Sequence, residues 1–235
     1  MTKKALKTIF WVAIFSIAMG FMESAIVVYL RKLYYPGGFT FPLSNIELDI
    51  AGVEFMRELA TMIMLVTIGI VAGRKNIERF AYFIFSFAIW DIFYYVFLKV
   101  LIQWPESLMT WDVLFLIPVT WFGPVIGPVI NSLTMILLAV VTIYFIDRNR
   151  KAKYGWLVWT LLIVGSFVVI ISYTEEYTRF MMQEFSFFEL IGVRDAERII
   201  ARALTYIPEK FNWYIFLIGE VMHLTAIGLV IKKNR

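Results

Sequence analysis

Apolar residues run along this chain in long blocks, without the strict alternation of a half-buried strand or the narrow stripe of a surface helix. Nearly charge-free stretches cover 8–30, 55–73, 80–101, 155–173 and 211–231, each close to the ~20 residues a helix needs to cross a hydrocarbon layer about 30 Å thick. A sixth stretch, 113–146, runs for 34 residues without a charge, too long for one crossing and barely long enough for two. Lipid offers backbone amides no partners, so each block predicts a helix that satisfies its own hydrogen bonds.

The charges between the blocks decide how often the chain crosses. Lys3, Lys4 and Lys7 precede the first block, and Arg74, Lys75 and Arg79 follow the second. Arg148, Arg150, Lys151 and Lys153 follow the long one, and Lys232, Lys233 and Arg235 come last. With one crossing at the long block and a cytoplasmic N-terminus, all thirteen fall on the cytoplasmic side, with Glu78 and Asp147 as their acidic company. A second crossing there would put Arg148–Lys153 outside and invert everything downstream. The expectation is therefore an all-α, six-span protein of the cytoplasmic membrane, a single domain with both termini inside. The first block runs past residue 19 without a small-residue cleavage site, which predicts an uncleaved span rather than a signal peptide.

The excess of the long block must then stay on the outer side. Pro118, Pro124 and Pro128, with Gly123 and Gly127 beside the last two, interrupt helical hydrogen bonding repeatedly. Two arrangements fit: a re-entrant or interfacial segment over 113–126 leading into a span at 127–146, or one long, tilted, proline-kinked helix. Between the last two spans, 174–210 is expected to hold an amphipathic helix on the outer surface. There Arg194, Arg198 and Arg202 form a stripe opposite Ile199, Ile200, Ala203, Leu204 and Ile207. Such a stripe is either a solvated face paired with Asp195 or Glu197, or a lid that holds the phosphate or carboxylate of a substrate or lipid headgroup. The loop 31–54, with Tyr34, Tyr35, Pro36, Gly37 and Gly38, suits the membrane interface.

Composition narrows the class further. Hydrophobic residues make up 61% of the chain and charged ones 17%, against about 45–50% and about 25% in soluble domains. This excludes a soluble enzyme and a disordered chain, and the absence of cysteine excludes a disulfide scaffold or a thiolate metal site. The net charge of +4 does not indicate nucleic acid, because the basic residues lie in short clusters between apolar blocks. The expected partner is the lipid bilayer.

Against that background the acids within the spans stand out: Glu23, Glu58, Asp91 and Glu220, with His223 one turn beyond the last. Each costs roughly 2.5–3.5 kcal/mol at mid-bilayer if left alone. Counting at 1.5 Å per residue from the middle of each block, all five fit a slab roughly 10 Å thick. Small residues share their faces: Ser16 and Gly20 with Glu23, Gly69 and Gly73 in line with Glu54 and Glu58, Ala88 beside Asp91. The acids are thus expected to point into the bundle. Glu54, Arg57 and Lys99, nearer the span ends, are expected to reach the interface.

Three functions remain open. The first is a transporter or channel-like protein that binds protons or cations at the five groups, with the proline-broken segment as a gate. The second is an intramembrane enzyme acting on a lipid or quinone, with a divalent metal ion held by Glu58, Asp91, Glu220 and His223. Glu220-x-x-His223 is half of a di-metal carboxylate pattern, which a homodimer would complete. The third is a structural subunit whose acids pair with Arg57, Lys99, Tyr94, Tyr95 or His223 to lock helices together. Substituting Glu220 with Gln is expected to abolish activity in the first two and only shift stability in the third. A lone histidine excludes bis-histidine haem, and no mid-span lysine offers a Schiff base. The dipeptides Trp90-Asp91 and Trp111-Asp112 are too short to carry an argument, and the ten aromatics between Phe80 and Phe97 suit packing and lipid contact.

Overall fold

The fold comes from a computed structural model that describes residues 1–116, 119–149, 151–186, 189–190 and 196–235. The apolar blocks form six long helices: α1 (Lys3–Tyr34), α2 (Leu48–Ala72), α3 (Asn76–Ile102), α4 (Ile126–Asn149), α5 (Trp156–Met181) and α7 (Trp213–Asn234). All six are long and apolar enough to cross a membrane. Their outward faces carry large side chains that water would not tolerate in such density, among them Phe10, Phe21, Leu133, Phe167, Leu217 and Val221. The protein is a multi-pass helical membrane protein.

Local chemistry sets the helix ends. The Thr2 side chain accepts from the Ala5 amide and that of Asn212 from the Ile215 amide, capping α1 and α7. Gly73 closes α2, and Gln103, in the left-handed region at φ 57°, closes α3. Pro128 falls in the first turn of α4, where its missing N–H costs nothing.

Of the two arrangements expected for the long charge-free block, the kinked helix is excluded: a non-helical segment leads into a span, α4, that begins at Ile126. Residues 111–124 form an antiparallel hairpin, β1 (Trp111–Phe115) with β2 (Trp121–Pro124), pairing Trp111 with Pro124 and Val113 with Phe122. Thr110 and Leu108 carbonyls accept from the Val125 and Ile126 amides, leading the hairpin directly into α4. Strand pairing satisfies the backbone around Pro124, one of the three prolines expected to interrupt a helix, while Pro128 is accommodated in the first turn of α4. Of those prolines, Pro118 lies outside the described residues.

The outer segment also differs from expectation. Helix α5 continues past residue 173 to Met181, and the amphipathic helix is a short one, α6 (Ala196–Ala203). Arg194 lies outside the described residues.

Helix α3 is central and packs on α1, α2 and α4, while α5 and α7 pair and join the rest through α7 on α4. Small residues set the seams. Ser16 and Ser86 hydroxyls meet at 2.8 Å between α1 and α3. Gly219 lets α7 close on α5, since a Cβ there would fall 2.6 Å from Val169 Cγ2.

The two ends of the bundle are unlike. At the end holding both termini, Thr2 donates to Asp147 at 2.6 and 2.7 Å, and Asn234 accepts from the Lys153 amide at 2.7 Å. A continuous core of Val12, Tyr82, Phe85, Ile143, Val158 and Val230 fills that end. At the other end, under the hairpin and α6, the helices splay around a cavity of about 390 Å³.

Candidate functional site

The cavity walls are built from one face of each of four helices. On α1, Glu23 and Arg31 belong to the buried stripe of Ser16, Gly20 and Val28; on α2, Glu54 and Glu58 continue into Thr61, Leu65 and Gly69. Helix α3 contributes Trp90, Asp91 and Tyr95, and α4 contributes Pro128, Asn131, Ser132 and Met135 at one-turn spacing. The hairpin closes one side with Asp112 and Leu114–Leu116, and Tyr173 of α5 and Ile200 and Leu204 of α6 complete it. Gly123 is required where Tyr173 lies over the hairpin, because a Cβ there would fall 2.7 Å from the ring.

Five carboxylates line this space, Glu23, Glu54, Glu58, Asp91 and Asp112, against two arginines, Arg31 and Arg57. Arg57 bridges two of them, donating through Nη1 to Glu23 and through Nε to Glu54 at 2.8 Å. Thr61 Oγ1 donates to the other Glu23 oxygen at 3.2 Å. Arg31 donates to Asp112 at 3.1 Å while its guanidinium lies between rings, 3.6 Å from the Trp104 centroid and 4.4 Å from that of Phe39. Burial pushes the Asp112 carboxyl up from its ordinary 3.8 to about 6, with Arg31 pulling the other way.

The remaining two acids have no basic partner among the described residues. Both oxygens of Glu58 accept from one backbone N–H, that of Leu116 beyond β1, at 3.0 and 3.1 Å, tying α2 to the hairpin. Asp91, 8% exposed, takes a single hydrogen bond, from Ser132 Oγ to Oδ2 at 2.8 Å, and its side chain lines the cavity. Around it stand Phe87, Trp90, Tyr94, Tyr95, Phe115, Trp121 and Tyr173. Five polar atoms of the lining residues, Arg31 Nη1, Trp90 Nε1, Asp112 Oδ2, Trp121 Nε1 and Asn131 Oδ1, are buried without a hydrogen-bond partner.

Three of the five expected site residues, Glu23, Glu58 and Asp91, therefore share the cavity. Glu220 and His223 do not. They sit in the closed seam between α4, α5 and α7, where Glu220 accepts from Thr134 Oγ1 at 2.6 Å and stands 3.5 Å from His223 Nδ1. The other His223 nitrogen meets Ser166 Oγ at 3.3 Å. The expected metal set of Glu58, Asp91, Glu220 and His223 is thus divided between two places. Among the described residues no three His, Asp or Glu side chains gather as metal ligands.

Glu54 and Arg57, expected at the interface, instead pair in the cavity wall, Glu54 buried and Arg57 half-buried. Lys99 instead caps its own helix end, donating to the Gln103 and Pro105 carbonyls at 3.2 and 2.9 Å. In the arginine stripe, Arg202 pairs with Glu184 at 3.1 Å and Gln183 at 2.8 Å, and stacks 3.7 Å from the Phe180 centroid. Arg198 lies over Phe185. Toward the cavity α6 presents its apolar side, Ile200 and Leu204.

Sequence reasoning missed Arg31, Asp112 and the α4 residues Asn131, Ser132 and Thr134. The available signals were the Trp111-Asp112 dipeptide and three polar positions within four residues of an otherwise apolar span. No protein-family model, curated protein or solved structure matches the chain. Its class, a multi-pass helical membrane protein, rests on the fold alone.

Proposed function

We propose that this protein is a membrane transporter that takes a proton or small cation into the cavity at the hairpin end, with Asp91 as the binding group and Glu58 beside it. The observation that carries the reading is the uncompensated charge: five carboxylates and two arginines around one largely apolar space. Low dielectric makes the excess costly unless protons or a bound cation balance it. Asp91 has an oxygen to spare and no basic neighbour.

The hairpin takes the role of a gate. Besides the side chains it lends to the cavity wall, it is tied to α2, among the described residues, by the bond that Glu58 accepts from the Leu116 amide. Protonating Glu58 weakens the bond to that amide by removing the carboxylate charge, and drawing it toward a cation breaks the bond; either loosens the hairpin. The Glu220–His223 pair, remote from the cavity, serves to hold α5, α7 and α4 together. The thirteen basic residues clustered beside the spans in the sequence support an orientation with both termini in the cytoplasm, in which the cavity opens to the outside.

Electrometry on proteoliposomes adsorbed to a solid support tests the reading. Steps in proton, sodium, potassium and organic ammonium concentration should displace charge in the wild type for at least one cation, and Asp91→Asn should abolish the signal. No displacement with any of them overturns the proposal. Because the chain has no cysteine, single cysteines at Ser44 and Asn149 report orientation directly. A membrane-impermeant maleimide added outside intact cells should label only the first.

A further inference from the structure

We infer that the cavity's occupant is a small organic monocation, an ammonium carried on an apolar body, with its charged nitrogen at Asp91. The inference rests on the cation-binding reading above and names its substrate class. A proton or bare metal ion needs neither the volume nor the lining. The space of about 390 Å³ matches sites for small organic molecules.

The lining selects among such molecules. An anion would meet an excess of carboxylates, and a neutral molecule would leave Asp91 to be answered by a proton alone, where a cation answers it directly. A strongly hydrated inorganic ion would have to shed water into a space whose walls are mostly rings and methyls. An alkylated ammonium is weakly hydrated, and aromatic faces attract it. Asp91 is flanked on its own helix by Trp90 and Tyr95, with Trp121 and Tyr173 across the cavity.

The other end of the ligand follows from the same walls. Leu114 of the hairpin and Ile200 and Leu204 of α6 offer no hydrogen bond, which suits a hydrocarbon body. Asn131 Oδ1, buried without a partner, stands in the wall formed by the Ser132 turn of α4 and offers an acceptor to an ammonium that retains an N–H. Helix α6 thus covers the ligand with its apolar side, while Arg202 is turned to Glu184 and Gln183.

Calorimetry on the full-length protein in detergent tests this with benzyltrimethylammonium, phenethylammonium and tetraethylammonium, and with phenylacetate as the anion of similar shape. At least one ammonium should bind the wild type and phenylacetate should not. Asp91→Asn should weaken ammonium binding by about 100-fold or more, and Trp90→Leu by about 3- to 30-fold. Should Asp91→Asn fail to fold, the Trp90→Leu result decides. The inference is overturned if no ammonium binds, if phenylacetate binds as well, or if neither variant weakens binding. Electrometric signals from protons or sodium that vanish in Asp91→Asn, with no ammonium binding, would sink this inference and leave the cation-transport reading standing. Silence in both assays removes both.

Discussion

Asp91 and Glu220 are two buried acids anchored by the same helix, two residues apart on α4: Ser132 Oγ donates to the first at 2.8 Å and Thr134 Oγ1 to the second at 2.6 Å. Beyond that bond they diverge. Glu220 is enclosed, with His223 at 3.5 Å and the α5–α7 seam drawn tight around it by Gly165 and Gly219. Asp91 faces open space lined by aromatic rings and has no basic neighbour among the described residues. Two similar carboxylates in similar spans thus have different prospects, because an acid surrounded by protein is already answered, whereas one facing a cavity is answered only by what enters. The comparison teaches that intramembrane charge marks a binding site only where packing leaves room beside it.

The largest expected effect lies in the cavity's ion network. Arg57→Ala leaves Glu23 and Glu54 buried without their cation and should destabilise the protein by about 3–5 kcal/mol, measured by thermal unfolding in detergent. A loss under about 1 kcal/mol would mean that these groups are solvated, and the contrast between an electrically demanding cavity and a quiet seam would disappear.

Asp112 supplies a pH test of the same end. Its folded carboxyl titrates at about 6, above its ordinary 3.8, so the folded state holds the proton more tightly than the unfolded chain does. The contribution is fully present below about pH 4 and is lost as pH rises through about 6, at most about 3 kcal/mol. Melting temperature should fall across that window, and Asp112→Asn should flatten the fall. A slope of opposite sign would mean that Arg31 outweighs burial.

Matched hydroxyl deletions sharpen the comparison itself. Thr134→Val removes a bond to the enclosed Glu220 and should cost about 1.5–3 kcal/mol, since nothing replaces it. Ser132→Ala should cost under about 1 kcal/mol, because water or ligand in the cavity can take its place at Asp91. Equal costs in equilibrium unfolding would show that the two acids are equally closed.

The smallest effect is at Glu220 itself. Glu220→Gln should change ammonium affinity by less than about 3-fold, well under 1 kcal/mol, while lowering thermal stability. A loss comparable with that of Asp91→Asn would return Glu220 to the binding site.

The fold was largely legible from the charge pattern, and the candidate site only in part. Glu23, Glu58 and Asp91 could be singled out because charge at mid-span is rare and their faces carry small residues. Nothing along the chain separated them from Glu220, since depth and helical face are the same kind of information for all four. Arg57 read in two ways, as an interfacial residue near a span end and as a partner for the buried acids; the pairing holds at Glu23 on α1, with Glu54 one turn back on α2 as a second partner. Asp112 carried only the weak signal of a short dipeptide until the hairpin brought it to Arg31, 81 residues earlier.

By itself, the sequence determined that this is a membrane protein with six spans, because each span must satisfy its own backbone and shed its own charges, both local requirements. It also nominated the acids, because their cost is paid residue by residue. Only the tertiary structure decided that the proline-rich block pairs as a hairpin, that α6 turns its apolar side inward, and that three acids share a cavity while the fourth is sealed in a seam. Those outcomes depend on which faces meet and on the space left between them. Packing decides that, and it does so between residues far apart in the chain.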